Sequence, residues 1–284
     1  MNHALRVCCG LGLLGMLFWP TPTAIAANAI DPPLVTVQKG TLPIILSSPH
    51  GGKAPIKETP VRKGAGVLRF VTTRDGNTAE LTEKLADAIE KALGGRPYVV
   101  IARFDRKYAD PNRAAEEAYE HPNAKRHYDA YHDALKEAIA EVKGQWGRGL
   151  LLDIHGQGVQ ADGIFRGTRD GKSVVDLLKR EGEPALLGPK SVIGHLAASG
   201  YNTLPKQPTK GIGKEERFNG GYITDAYGSH RQTSIDAIQL EFGGTLRKTD
   251  RLNKTATDVA AAVAAFTGAY LPKQQHPPRP AAAR

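Results

Sequence analysis

Thiols are almost absent from this 284-residue chain: its two cysteines, Cys8 and Cys9, stand side by side near the N-terminus. Everything after them can form no disulfide, and a metal held there must use His, Asp or Glu. Aromatic residues are sparse, at 6% of the chain, and no Lys/Arg block interleaves with them. The formal charge of +9 is therefore not laid out for nucleic acid, and a small anionic substrate is the better partner for it. Gly-x-Ser-x-Gly, Walker and dinucleotide-type glycine patterns are all missing. Long hydrophobic runs are missing too. Cys8–Trp19 is the apolar stretch, roughly a dozen residues, which is a signal-peptide length and short of the ~20 that a spanning helix needs. It is followed by two small-x-small sites, Ala24-Ile25-Ala26 and Ala27-Asn28-Ala29. Residues 1–29 are thus read as a cleaved signal peptide, and the protein is expected to be periplasmic or extracellular, without stable membrane insertion. Internal repeats are absent, since the two Thr-Arg-Asp-Gly copies at Thr73 and Thr168 are too short to form one.

What remains alternates between strand-like and helix-like segments. Leu34–Val37, Leu42–Leu46, Tyr98–Ala102, Leu150–Ile154 and Ile235–Phe242 read as strands. Leu81, Leu85, Ile89 and Leu93 recur every four residues, and the Asn77/Glu80 spacing of a capping box starts that helix at Thr78. Further helices are read over about 123–142, 174–178 and 256–271, while Lys190–His195 reads as a strand or a helix start. The loop from Lys53 to Gly66 looks mobile, and 199–221 is loop-like. The pattern predicts an α/β fold, a single three-layer domain with a mostly parallel sheet over 30–272, and a disordered Pro/Ala tail over 273–284. In such sheets ligands bind beyond the carboxyl ends of the strands.

Those ends carry the chemistry. His50 and His155 each lie at a strand exit beside glycines. A catalytic zinc takes three protein ligands, often two His and a carboxylate, and keeps one position open. Asp75 and Glu80 compete for the acidic place; Glu80 already has a capping role and Asp75 has none, so Asp75 is favoured. Asp153 is expected on the face opposite His155, as a structural acid or a partner that orients a ligand. Glu241 sits in an otherwise apolar strand, where a carboxylate is costly unless paired or functional, and is the candidate general base. Arg103, Arg106 and Arg113 share one loop and offer a fork for a substrate carboxylate.

Taken in order, Ser48-Pro49-His50-Gly51-Gly52, Arg74-Asp75, Asp110-Pro111-Asn112-Arg113, Asp153-Ile154-His155, Arg217-Phe218-Asn219-Gly220-Gly221-Tyr222 and Ile238-Gln239-Leu240-Glu241 resemble the N-formylglutamate amidohydrolase family. The resemblance spans about 43–270. It implies a phosphorylase/hydrolase-like, zinc-exopeptidase-like fold and a Zn2+-dependent hydrolase of linear amides next to a free carboxylate. It places His50, Asp75 and His155 on the metal and Glu241 as the late-strand carboxylate. Arg113, with Arg103 helping, is placed on the substrate carboxylate. Two positions depart from the family: Gly156 stands where a Ser is usual and Gly76 where an aromatic is frequent, and both changes are read as widening the pocket. The pattern is also similar to N-acetylmuramoyl-L-alanine amidases, which would revive Glu80 and, with a basic exported protein, suggest wall peptide or polyglutamate. A non-catalytic anion-binding protein on the same fold is the remaining alternative.

Overall fold

The computed structural model describes residues 33–272 apart from 207, 209 and 210. The signal-peptide and tail readings lie outside the described residues. In chain order the elements are β1 (Val35–Gln38), β2 (Ile44–Ser48), α1 (Thr78–Leu93), β3 (Tyr98–Ala102), α2 (Ala115–Ala118), α3 (Pro122–Trp146) and β4 (Gly149–Gln157). There follow β5 (Gly163–Gly167), α4 (Val175–Glu181), α5 (Pro184–Leu187), α6 (Val192–Ala198), β6 (Asn202–Leu204), α7 (Tyr222–Tyr227), β7 (Ile235–Gly243) and α8 (Leu252–Tyr270).

One seven-stranded sheet runs β1-β3-β2-β4-β7-β5-β6. β1 is antiparallel to β3 and β5 is antiparallel to β7; the other pairings are parallel. The central strands are apolar on both faces, as a sheet covered by helices on both sides requires. Alternation sorts their residues. Ile44, Leu46, Leu150, Leu152 and Leu240 pack with Leu81, Leu85 and Ile89 of α1 and Val259, Val263 and Phe266 of α8. Ile45, Leu151, Ile235 and Ala237 pack on the other face with Tyr131, Leu135, Ile139 and Val142 of α3. The result is the three-layer α/β arrangement expected from the sequence.

Several local readings shift. β4 does not stop at Ile154 but continues through His155 to Gln157, because β7 offers it a partner along its whole length, from Gly149↔Ile235 to Gln157↔Gly243. β5 and β6 are strands that the turn-rich sequence around them hides. Residues 192–198 are helical, and Ser191 Oγ caps them by accepting from Gly194 N at 2.9 Å. The capping box before α1 is not formed: Asn77 has a left-handed backbone (φ 63°) and makes no side-chain cap bond. Its Nδ2 instead donates to Arg247 O at 2.8 Å. The Lys53–Gly66 loop is anchored rather than loose. The buried Arg62 donates to Glu117 O, Val71 O and Arg106 O, tying the loop to its surroundings.

Candidate metal centre and active-site crevice

The carboxyl ends of β2, β4 and β7 open into one crevice of about 560 Å³. His50 lies two residues past β2, and Pro49 before it restricts the exit to extended backbone. Gly51 is required next to it, since a Cβ there would run into Ala79 N of the first turn of α1. Asp75 sits in the turn ahead of α1, fixed by its own N–H donating to His50 O at 2.9 Å. His155 is on β4 and its neighbour across the parallel ladder is Glu241 of β7.

His50, Asp75 and His155 each offer a ligand atom, and the three atoms lie within 4.8 Å of one another. Asp75 Oδ2 is 3.3 Å from His50 Nδ1 and 3.2 Å from His155 Nδ1. The opposite ring nitrogens both meet buried carboxylates. His50 Nε2 is 2.7 Å from Asp110 Oδ1, and His155 Nε2 is 2.8 Å from Asp153 Oδ2. This is the outer support that metal-ligating imidazoles use to fix ring orientation and raise ligand basicity. Two imidazoles and one carboxylate, with one nitrogen of each ring left facing the shared centre, are a donor set suited to a divalent ion such as zinc.

Electrostatics agree with the geometry. Burial alone would raise the Asp75 carboxyl, but His50 and His155 hold it well below its usual range. Burial would lower the His155 imidazole, yet Asp153 and Asp75 hold it well above. Asp110 is likewise pulled down, against its burial, by His50 and Arg106. Glu241 moves the other way: burial raises it, and Asp75 adds to the shift while His155 opposes it. Its Oε1 accepts from Gln239 Nε2 at 2.8 Å, and Gln239 Oε1 accepts from Gly221 N at 2.7 Å. The carboxylate is thereby aimed along its strand into the crevice.

Asp153 shares a face with His155, correcting the expectation of opposite faces; residues two apart along a strand point the same way. Its other oxygen accepts from Ser47 Oγ at 2.5 Å. Glu80 belongs neither to the ligand cluster nor to the lining of the crevice. It lines a separate cavity of about 360 Å³ together with Arg103, Gly51 and Gly52. Arg103 does not reach the crevice either. Its guanidinium is taken by Glu83 of α1 and its Nε donates to Thr36 Oγ1 at 2.7 Å. Arg113 does line the crevice, with Arg69, Arg74, Arg106 and Arg247.

Four residues contribute in ways that go unread in the sequence, where Arg106 is expected on the substrate carboxylate and Asp110 and Asn112 appear only within a motif. Asp110 supports His50. Arg106 holds Asp110 through Nε at 2.9 Å. Asn112 joins two arms, its Nδ2 lying 3.2 Å from His155 Nε2 while its Oδ1 accepts from Ile223 N at 2.9 Å. Arg247 packs against Gly156, where an added Cβ would lie 2.5 Å from its Cζ. Gly156 therefore does not widen the pocket; its space is filled. At Gly76 a Cβ would meet nothing within 4 Å, but Gly76 is not among the residues that line the crevice.

Over residues 121–246 the chain matches the family model described as N-formylglutamate amidohydrolase. The resemblance read from the sequence is borne out by this match. His155 and Glu241 fall inside the matched span; His50, Asp75 and Arg113 precede it, and the fold brings them to the same crevice. The fold is similar to that of the N-formylglutamate amidohydrolase from Ralstonia eutropha JMP134, with a TM-score of 0.56 and 18% identity, covering 83% of this chain and 98% of that one. It is also similar to a gene product from Agrobacterium tumefaciens, with a TM-score of 0.50 and 15% identity, covering 84% of this chain and 94% of that one. No curated protein matches the chain. At these identities the structures speak to the fold, while the family match supports a hydrolase of the amidohydrolase kind.

Proposed function

We propose that this protein is an exported, zinc-dependent amidohydrolase that cleaves a linear amide next to a free carboxylate, with N-formylglutamate-like compounds as substrates. One observation carries the reading: the ligand atoms of His50, Asp75 and His155 face a common centre, with Glu241 beside His155 on the adjoining strand. His50, Asp75 and His155 would hold the ion, which supplies Lewis-acid polarisation of the amide carbonyl and acidifies a water. Glu241 accepts the proton from the attacking water and returns it to the departing nitrogen. Its burial raises the carboxyl above its ordinary range, the direction that helps a carboxylate pass a proton on. Gln239 fixes the other face of that carboxylate so that the free oxygen is the one that works. Arg113 receives the substrate carboxylate, which places the scissile amide over the site. Export is read from the apolar stretch over 8–19 followed by small-x-small sites.

A longer acidic substrate, such as polyglutamate or wall peptide, has one observation in its favour. A second cavity of about 440 Å³ shares Arg69, Arg106, Asn112, Arg113 and Phe218 with the crevice and adds Arg169 and Arg217. A small formyl group cannot use that space.

Metal analysis of the purified protein tests the reading, together with formate release from N-formyl-L-glutamate and from N-formylated acidic peptides. One equivalent of zinc and turnover that is lost in Glu241→Gln with the zinc retained are expected. Absence of bound zinc after loading, or full turnover in Glu241→Gln, would overturn it. Ligand binding by metal-loaded protein with no turnover would favour the non-catalytic alternative. The N-terminus of protein recovered outside the cytoplasm tests export: an uncleaved Met1 there would contradict it.

A further inference from the structure

Arg247 ends the short 3-10 turn Gly244–Arg247 that follows β7. Its guanidinium makes no ion pair among the described residues, although it is half-buried and faces a crevice that contains Asp75 and Glu241. Instead it is spread over main-chain carbonyls of three separate segments. Nε donates to Phe242 O at 2.9 Å, Nη2 donates to Gln157 O at 3.3 Å, and Nη1 donates to Gly76 O. Each acceptor is one or two residues from a member of the site: Gly76 follows Asp75, Gln157 is two past His155, and Phe242 follows Glu241. The main chain of Arg247 closes the circuit, because its own carbonyl accepts from Asn77 Nδ2 at 2.8 Å in the Asp75 turn. Gly156 leaves the room this guanidinium occupies. A Cβ there would lie 2.5 Å from Cζ and 2.7 Å from Nε of Arg247. The guanidinium cannot slide aside cheaply, since three carbonyls hold its plane.

We propose that Arg247 is the positioning residue that joins the Asp75 turn, the His155 strand and the Glu241 strand into one rigid arrangement, and that residue 156 is glycine in order to seat it. The proposal rests on the metal-hydrolase reading above and deepens it. A planar fork with five N–H donors can bind three carbonyls in different directions; an ammonium is a point charge on a flexible stem and cannot hold all three. Losing the clasp frees the Asp75 turn, which bears one ligand, relative to the strand that bears another. The ligand set then orders itself only when metal binds, and affinity falls by the 10–100-fold typical of lost outer support.

The test is a double-mutant cycle read by zinc affinity, measured by competition with a chromophoric chelator. Arg247→Met is expected to weaken zinc binding at least tenfold and to lower kcat with KM little changed; Arg247→Lys should recover only part of the affinity. Gly156→Ala should weaken zinc binding similarly, although Arg247 is intact. In the Arg247→Met/Gly156→Ala double variant the added Cβ no longer meets a guanidinium, so Gly156→Ala should cost little more. Unchanged zinc affinity in Arg247→Met, or a full additional loss from Gly156→Ala in its presence, would overturn the proposal. The same cycle read as thermal unfolding of metal-free protein covers the case in which wild type binds no zinc. That case would sink the metal reading. Additive melting-temperature shifts would sink the Arg247–Gly156 pairing, and non-additive shifts would sustain it.

Discussion

Replacing Asp153 by Asn isolates one charge at the metal centre. The carboxylate is fully buried and divides its oxygens between Ser47 Oγ at 2.5 Å and His155 Nε2 at 2.8 Å. An Asn side chain fills the same space. Its carbonyl can still accept from His155 Nε2, and its amide can turn toward the Ser47 hydroxyl, which both donates and accepts. Shape and hydrogen-bond count are therefore kept, and what is lost is the negative charge behind the ligand imidazole. Substitution of such supporting groups weakens metal binding by about 10–100-fold, which is about 1.4–2.7 kcal/mol. The loss should depend on pH. In the metal-free protein Asp153 holds the His155 proton well above the ordinary imidazole range, so metal must displace that proton. Asp153→Asn makes the proton easier to remove while making the imidazole a poorer ligand. The deficit is thus largest at alkaline pH and shrinks as pH falls. Titration of metal-free wild type and variant with zinc against a competing chelator, from about pH 6 to pH 9, measures both effects. Equal affinities across that range would refute the idea that His155 is a ligand tuned through its Nε2.

Arg113→Ala is expected to raise KM for N-formyl-L-glutamate by at least tenfold and to leave an uncharged formyl amide unaffected, as steady-state kinetics on the two substrates would show. Arg103→Ala, whose guanidinium is engaged by Glu83, should leave both KM values unchanged. His132 is buried, and that burial lowers its imidazole to about 4. Between about pH 4 and 6.5 the unfolded chain therefore binds more protons than the folded one, and stability rises with pH by up to about 3 kcal/mol from this group. Chemical denaturation at pH 4.5 and 6.5 should show a smaller rise in His132→Gln than in wild type. Leu85→Ala empties a fully buried position between α1 and the sheet and should cost about 2–5 kcal/mol in urea unfolding, with zinc affinity retained.

The parts of the site that could be read from sequence are those whose signal is local. His50 and His155 stand out because glycines flank a strand exit, and Glu241 because an apolar strand does not carry a carboxylate without cause. The arginines show where this stops. Arg103, Arg106 and Arg113 look equivalent in one loop, yet Glu83 draws Arg103 away while Asp110 draws Arg106 inward. Arg106 meets an acid only four positions on, but Glu83 reaches Arg103 because α1 lies alongside β3, a fact of packing that no spacing along the chain records. Gly156 misled for the same reason. A missing side chain read as empty space, but the space belongs to Arg247, ninety-one positions later. On the fold, the long apolar strands were legible through their composition. β5 and β6 were not, because turn-rich sequence surrounds them and they owe their existence to pairing with β7 and with each other.

The β4–β7 ladder has a bearing on how this protein could change over generations. His155 and Glu241 are cross-strand neighbours in an unbroken nine-residue register. Side chains alternate faces, so a single inserted or deleted codon within either strand would turn the ligand or the base toward the opposite layer of helices. The turns at the strand exits have no such parity constraint. Length variation and new substrate preferences are therefore expected to accumulate in the 53–74 loop, whose Arg69 and Arg74 line the crevice, while the two strands stay fixed in length.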